Sequence, residues 1–134
     1  MSKVEELHLP ENRISKVIVD AAIEVHLELG GPGLLESVYE EALAYELADR
    51  GLTVQRQRAV PIRYKGRRIA SDLRLDLLVD DLVIVECKAV AEYNSVFDAQ
   101  ALTYLRLLDL RLALVINFGA KKIIKDLHRV VNDL

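Results

Sequence analysis

The sequence predicts a mixed α/β domain in which helices flank a central β-sheet. Two helical patterns come first, three extended segments follow, and then a third helix and a further strand. The segments on either side of this third helix contain short apolar runs, which are typical of neighbouring parallel strands joined by a helix. With 134 residues, 51% of them hydrophobic, the chain is long enough to bury one core and is not disordered.

The first helix is expected at residues 13–29, where apolar residues recur at three- and four-residue spacing. Asn12 is its expected N-cap, and the Gly-Gly-Pro-Gly run at 30–33 ends it. A second helix is expected at residues 35–50, with Gly51 as its stop. Its expected inward positions are Leu35, Val38, Tyr39, Ala42, Leu43 and Leu47.

Extended chain is expected after residue 51, with a turn at Lys65-Gly66. Two further strands, residues 74–79 and 82–89, are separated by Asp80-Asp81. A third helix is expected at 96–110, where Ser95 and Asp98 have the spacing of a capping box. Residues 111–118 form a buried strand, and the pattern of residues 120–132 fits either a strand or a short helix.

Composition excludes several classes of protein. Cys87 is the only cysteine, so a disulfide framework is excluded, and the N-terminal residues have no apolar secretory segment. No apolar stretch approaches the roughly 20 residues that a membrane span needs. We expect a single cytoplasmic domain over residues 1–134, with residues 1–11 loosely ordered and no membrane contact.

The net charge of −3 hides a strong asymmetry along the chain. Residues 1–49 carry a net charge of −8, whereas residues 50–74 carry +7. A solvated amphipathic hairpin explains such a basic run, but local charge also governs the attraction of phosphate. The expected nucleic-acid-binding residues are Arg56, Arg58, Arg63, Lys65, Arg67 and Arg68.

Charged residues interrupt two otherwise apolar strands. Asp76 lies in one strand, and Glu86 and Lys88 lie in the next, two residues apart and therefore on one face. A two-residue turn would leave the carboxylates on opposite faces, whereas a three-residue loop at 80–82, or a bulge, sets Asp76 opposite Glu86. We predict the second arrangement, and carboxylates on opposite faces would exclude a shared metal site.

Two interpretations of these charges are open. A buried ion pair between Lys88 and either carboxylate would only fix the strand register. Alternatively, Asp76, Glu86 and the Cys87 carbonyl offer hard oxygen ligands for Mg²⁺ or Mn²⁺. Lys88 would then orient or activate water and offset phosphate charge, which is the chemistry of phosphodiester hydrolysis. The Cys87 side chain is expected to pack in the core.

The whole pattern resembles the PD-(D/E)XK nuclease superfamily, and more closely its small GxxExxY family, whose motif stands here at residues 33–39. The resemblance implies that Asp76 and Glu86 are metal ligands and that Lys88 is the catalytic lysine. Glu36 matches an acid that many members aim at the metal. Gln100 and Tyr104 match a QxxxY helix motif whose residues support the site or contact substrate.

Two functions are therefore weighed. The first is a Mg²⁺- or Mn²⁺-dependent nuclease acting on nucleic acid, with DNA favoured over RNA. The second is a binding module that keeps the nuclease fold without turnover, whose basic hairpin binds nucleic acid or an acidic protein. Because a nuclease of this size has no targeting domain of its own, we expect a homodimer or a partner protein.

Overall fold

The computed structural model describes residues 2, 5–6 and 8–134, except for the side chains of residues 70–72. In the described residues a five-stranded sheet has the order β1-β2-β3-β4-β5. Strands β3 and β4 are parallel, and the other neighbouring strands are antiparallel. The elements are α1 (Pro10–Glu28), α2 (Glu36–Asp49), β1 (Val54–Tyr64), β2 (Arg67–Val79), β3 (Val83–Lys88), α3 (Val96–Leu108), β4 (Leu112–Asn117), a 3₁₀ helix (Ile123–Asp126) and β5 (Leu127–Val131).

The two faces of this sheet bury separate apolar clusters. Helices α1 and α2 cover one face, where Ile18, Leu43 and Leu114 are almost completely buried. Helix α3 covers the other face, where Leu105 packs with Val115. The predicted mixed sheet flanked by helices is confirmed, and so is the parallel pairing of the strands around α3.

Helix α1 begins earlier than predicted. Leu9 is its N-cap and Pro10 is its first residue, so Asn12 lies inside the helix and its prediction as the cap was wrong. Proline suits the first helical position because its φ is already helical and the missing N–H has no helical acceptor there. The segment 1–11, predicted to be loosely ordered, lies partly outside the described residues, but its last two residues belong to α1.

Two other helix predictions were wrong in detail. Leu35 and Val38 are 74% and 38% exposed, because the buried stripe of α2 passes through Tyr39 and Leu43 at four-residue spacing. Ser95 makes no side-chain cap at the start of α3. The expected capping box is absent, since the Asp98 carboxylate instead accepts a hydrogen bond from the Tyr93 hydroxyl at 2.6 Å.

Strand β2 is longer than predicted, and its outer part defines an arm. The turn at Lys65-Gly66 is confirmed, and β2 begins at Arg67 because it pairs with β1 on both sides of a register shift between Val60 and Ile62. Pairing with β3 covers only the end of β2, from Leu77 to Val79. We call residues 60–73 the arm and residues 62–69 the arm tip. The ambiguous tail forms the 3₁₀ helix and then β5, which pairs with β4.

Candidate active site

The loop between β2 and β3 sets the position of the carboxylates. Residues 80–82 form a three-residue loop whose first two residues have φ of 50° and 55°, a conformation that aspartate tolerates better than most residues. The strands then pair with Leu77 opposite Val85. One step further along, this register sets Asp76 opposite Glu86, so the predicted three-residue loop is confirmed.

Each of the two carboxylates accepts a hydrogen bond from the backbone of the neighbouring strand. The Asp76 N–H donates to Glu86 Oε2 at 3.1 Å, and the Cys87 N–H donates to Asp76 Oδ2 at 2.8 Å. Side chains thus replace the backbone ladder at this level. Glu86 is only 6% exposed, whereas Asp76 is half-buried. The two acids therefore lie just beyond the last backbone pair of β2 and β3, and solvent reaches them on the Asp76 side.

Burial makes a fully ionised pair unfavourable. Desolvation raises the pKa of Glu86 to about 9, and the Asp76 charge and a side-chain hydrogen bond with Asp76 also raise it. A hydrogen bond from the Asp76 backbone and the Lys88 charge oppose these effects but do not cancel them. The pair as a unit therefore keeps a proton at neutral pH when no cation is bound.

A third acid, Glu40, lies beside the pair and was not predicted from the sequence. It is 5% exposed, and its carboxylate accepts hydrogen bonds from Gln57 Nε2 at 2.8 Å and Arg56 at 3.1 Å. Burial and the nearby Asp76 charge raise its pKa. The i, i+4 spacing from Glu36 on α2 is the sequence signal that would have pointed to it.

Gln57 connects Glu40 with the metal-ligand candidate Asp76. Its amide nitrogen lies 3.5 Å from Asp76 Oδ1, and its backbone has a φ of 50° in the middle of β1. A left-handed residue inside a strand is unfavourable unless its surroundings hold it. Here the Arg74 guanidinium donates to the Gln57 carbonyl at 3.1 Å and holds this distortion opposite Asp76.

Glu36 lies at the start of α2 and faces the same site. Partial burial raises its pKa, the Lys88 charge lowers it, and the Asp76 charge raises it. A hydrogen bond from the Ala89 backbone also stabilises the ionised form. These influences show that α2 and the end of β3 bring Glu36 close to Lys88 and Asp76.

Lys88 is half-buried at the end of β3, and its Nζ lies 4.6 Å from the centre of the Phe97 ring. The contact with an aromatic face stabilises the cation and limits the positions of its long side chain. Cys87 is fully buried and packs in the cluster beneath α1 and α2, as predicted. Burial, assisted by nearby carboxylates, raises the pKa of the Cys87 thiol, so the group remains protonated.

The two predicted residues of α3 differ in their surroundings. Tyr104 is half-buried, and burial, then the Glu86 and Asp76 charges, raise the pKa of its hydroxyl. It therefore borders the carboxylate pair. Gln100, one turn earlier, is exposed on the surface of α3.

A turn after β4 holds the end of β3, and sequence analysis missed it. Asn117 is fully buried, and its side chain exchanges hydrogen bonds with the Val90 N–H and carbonyl at 3.0 and 2.9 Å. It also donates to Asp126 at 2.7 Å. A Cβ on Gly119 would lie 2.4 Å from the Val90 carbonyl oxygen, so only glycine fits there. We call Asn117 and Gly119 the β3 clamp.

The basic residues of the arm divide into two groups. Arg56 bonds to Glu40 beside the carboxylates, and Arg58 bonds to the Gln55 side chain. The others are exposed at the arm tip: Arg63, Lys65, Arg67 and Arg68. Arg63 lies directly opposite Arg68, so positive charge is concentrated at the arm tip.

The described residues contain no group of three or more His, Cys, Asp or Glu side chains arranged to hold a metal ion. Among the same residues, no helix is long and apolar enough to cross a membrane.

The fold and the facing carboxylates define an α/β domain of the nuclease type. A family model of the PD-(D/E)XK nuclease superfamily matches residues 12–130. The chain belongs to this superfamily, whose nucleases generally use divalent metal ions. Comparisons with curated proteins and with solved structures gave no match.

Proposed function

We propose that this chain is a Mg²⁺- or Mn²⁺-dependent nuclease of the GxxExxY family that hydrolyses phosphodiester bonds, with DNA favoured over RNA. The observation that carries the proposal is the pair of carboxylates that cross-link β2 and β3 through each other's backbone. Burial makes full ionisation of this pair unfavourable, and the charge of a divalent cation would stabilise both carboxylates in their ionised form. The chain would act as one cytoplasmic domain over residues 1–134.

The donor atoms fit a hard divalent cation. Asp76 and Glu86 supply carboxylate oxygens. The Cys87 N–H points to Asp76, and the carbonyl of a strand residue faces the same neighbouring strand as its N–H, so this carbonyl is the third expected ligand. With so few protein ligands, substrate and water oxygens would complete the shell, as Mg²⁺ prefers. When bound, the ion supplies Lewis-acid charge that stabilises the reacting phosphoryl group.

The chain's own residues would orient the reaction. Lys88, held over Phe97, offers a cation that positions the attacking water and offsets phosphate charge. Glu36 faces Lys88 and would accept a hydrogen bond from that water. Tyr104 borders the carboxylates, and exposed Gln100 would contact the arriving substrate.

The exposed cations of the arm tip would bind the phosphate backbone. Arg63, Lys65, Arg67 and Arg68 are all exposed, and backbone contacts of this kind give affinity without sequence preference. Arg56 and Arg58 lie nearer the carboxylates, where Arg56 would contact phosphate only by sharing its guanidinium with Glu40.

Asp76→Asn tests the metal and the cleavage together. We expect loss of Mg²⁺ or Mn²⁺ binding in calorimetry and at least about a 10³-fold loss of cleavage of single- and double-stranded substrates. Asp49→Asn, which changes an exposed acid of α2, is the matched control and should keep both. Cleavage that persists in Asp76→Asn or Lys88→Ala would mean a contaminant and would contradict the proposal.

The second candidate, a binding module without turnover, is favoured by the scarcity of side-chain metal ligands among the described residues. In that case wild-type protein would bind nucleic acid through the arm but show no metal binding that depends on Asp76. Asp76→Asn would then leave nucleic-acid affinity unchanged or raise it, because one negative charge is removed.

A further inference from the structure

An apolar groove of about 420 Å³ lies between α1 and α2. Val25, Leu29, Val38, Ala42 and Tyr45 line its apolar part, and Tyr45 is 77% exposed. Single exposed apolar residues are common, but a contiguous set that forms a groove usually marks a binding surface. This groove takes no part in the proposed metal site or in the proposed binding of nucleic acid.

The rim of the groove is acidic. Glu24, Glu28, Glu41 and Glu46 line it. Arg50 donates to Glu24 at 2.5 Å and to Glu46 at 2.9 Å, so the rim already attracts one arginine of this chain. Glu28 and Glu41 are exposed, and residues 1–49 as a whole carry a net charge of −8.

This charge decides what can occupy the groove. Two copies of the groove facing each other would bring their acidic rims together, and such like-charge contacts are strongly unfavourable. The occupant must therefore combine an apolar surface with positive charge.

The arm tip has this combination. Ile62 pairs with Ile69 and Tyr64 pairs with Arg67, and alternation along the strands places these four residues on one face. Tyr64 is 60% and Ile69 is 43% exposed. The opposite face carries Arg63 and Arg68, whose contacts with phosphate would not use the apolar side chains. Residues 50–74, which contain the arm, carry a net charge of +7.

We propose that this chain forms a homodimer in which the arm tip of each copy lies in the α1–α2 groove of the other. The exchange is symmetric, so both contacts are equivalent and the assembly closes at two copies. The apolar face of the tip covers the groove, and Arg67 faces Glu28 and Glu41 on the rim. The contact includes no metal-ligand candidate, so the dimer and metal-dependent cleavage can be measured separately. Arg67 belongs to both proposals, so nucleic acid should compete with the dimer for this side chain.

The test is a charge exchange measured by sedimentation equilibrium on full-length protein. One variant combines Glu28→Lys with Glu41→Lys, and the other is Arg67→Glu. Each variant alone should dimerise at least about tenfold more weakly than wild type, because like charges then face each other. An equimolar mixture should form a heterodimer, since both contacts in it again join opposite charges.

Controls separate this contact from general effects. Leu107→Ser removes an exposed apolar side chain of α3, away from the groove, and should leave the dimer unchanged. High salt should weaken the wild-type dimer, and circular dichroism should show that every variant is folded. Wild-type protein that stays monomeric at roughly 200 µM, far above the micromolar range of weak dimers, would overturn the proposal. So would a mixture of the two variants that stays monomeric.

Discussion

The residues on the two sides of the end of β3 have opposite effects on the stability of the fold. On one side, Asp76 and Glu86 are pressed together, and burial raises the pKa of Glu86 to about 9. On the other side, the Asn117 side chain exchanges hydrogen bonds with Val90 and donates to Asp126, so each donor is paired with an acceptor. The clamp stabilises the fold, whereas the burial of the two carboxylates next to each other weakens it. Mutations on the two sides should therefore change stability with opposite signs.

Gly119→Ala should give the largest change. Its Cβ would lie 2.4 Å from the Val90 carbonyl oxygen, so the backbone after Lys88 must shift. We expect a loss of about 3 kcal/mol in the free energy of unfolding, measured with denaturant.

Gly51→Ala is the matched control, because nothing lies near its Cβ and only its φ of +90° is unfavourable. That variant should lose about 1 kcal/mol. Equal losses in the two variants would mean that the clamp is not tightly packed.

Glu86→Gln should act in the opposite direction. The amide removes a charge that burial and Asp76 oppose, and its oxygen still accepts the Asp76 N–H. We expect the metal-free protein to gain about 2 kcal/mol at pH 8, while metal binding is lost. Thermal unfolding with a chelator measures the gain, and Glu5→Gln, at an exposed acid outside both proposed contacts, should show none. A less stable Glu86→Gln variant would refute the interpretation of the pair as destabilising.

The pH dependence of the same pair sharpens the comparison. The pKa of Glu86 is raised from 4.5 to about 9 in the folded chain, so between these values the folded state holds a proton that the unfolded state has lost. The stability linked to this proton is fully present below pH 4.5 and is lost as the pH rises towards 9.

The advantage of Glu86→Gln over wild type should therefore grow across this window and be smallest in acid. Urea titrations of both proteins at a series of pH values measure the difference. A difference that stays constant with pH would argue that another group binds the proton.

Arg50→Ala should have the smallest effect. Its guanidinium pairs with Glu24 and Glu46 at the surface, where solvent screens the attraction. We expect a melting temperature close to that of wild type and, in contrast with Glu86→Gln, little dependence on pH between 5 and 9. A large drop would show that this pair belongs to the structural support of the fold.

Much of the site could be predicted because its signals are local. Asp80-Asp81 marks a loop, and the parity of strand positions then allows only one register that brings Asp76 to Glu86. The parallel pairing of β3 with β4 followed from apolar runs around one helix. Helix bounds were less accurate, because Pro10 extends α1 backwards by a rule stronger than the Asn12 cap signal.

The parts of the site that the sequence did not predict depend on contacts between residues far apart in the chain. Asn117 follows a buried strand, and nothing local distinguishes an exposed polar residue there from one that is bonded to Val90. Position 119 requires glycine because the backbone at Val90 passes too close for a Cβ, and not because of the glycine's own backbone angles. Gln57 has a left-handed backbone without the usual Gly or Asn signal, because Arg74 and Glu40 hold it.

The Asp126 contact also has a consequence for synthesis on the ribosome. Asn117 donates to Asp126, which in turn bonds to His128, and the His128 ring stacks on Tyr93 at 3.6 Å. A nascent chain that ends shortly after β3 already carries every expected metal ligand but lacks the residues that hold Lys88 and its neighbours in place. These contacts around the end of β3 can therefore be complete only after β5 has been synthesised.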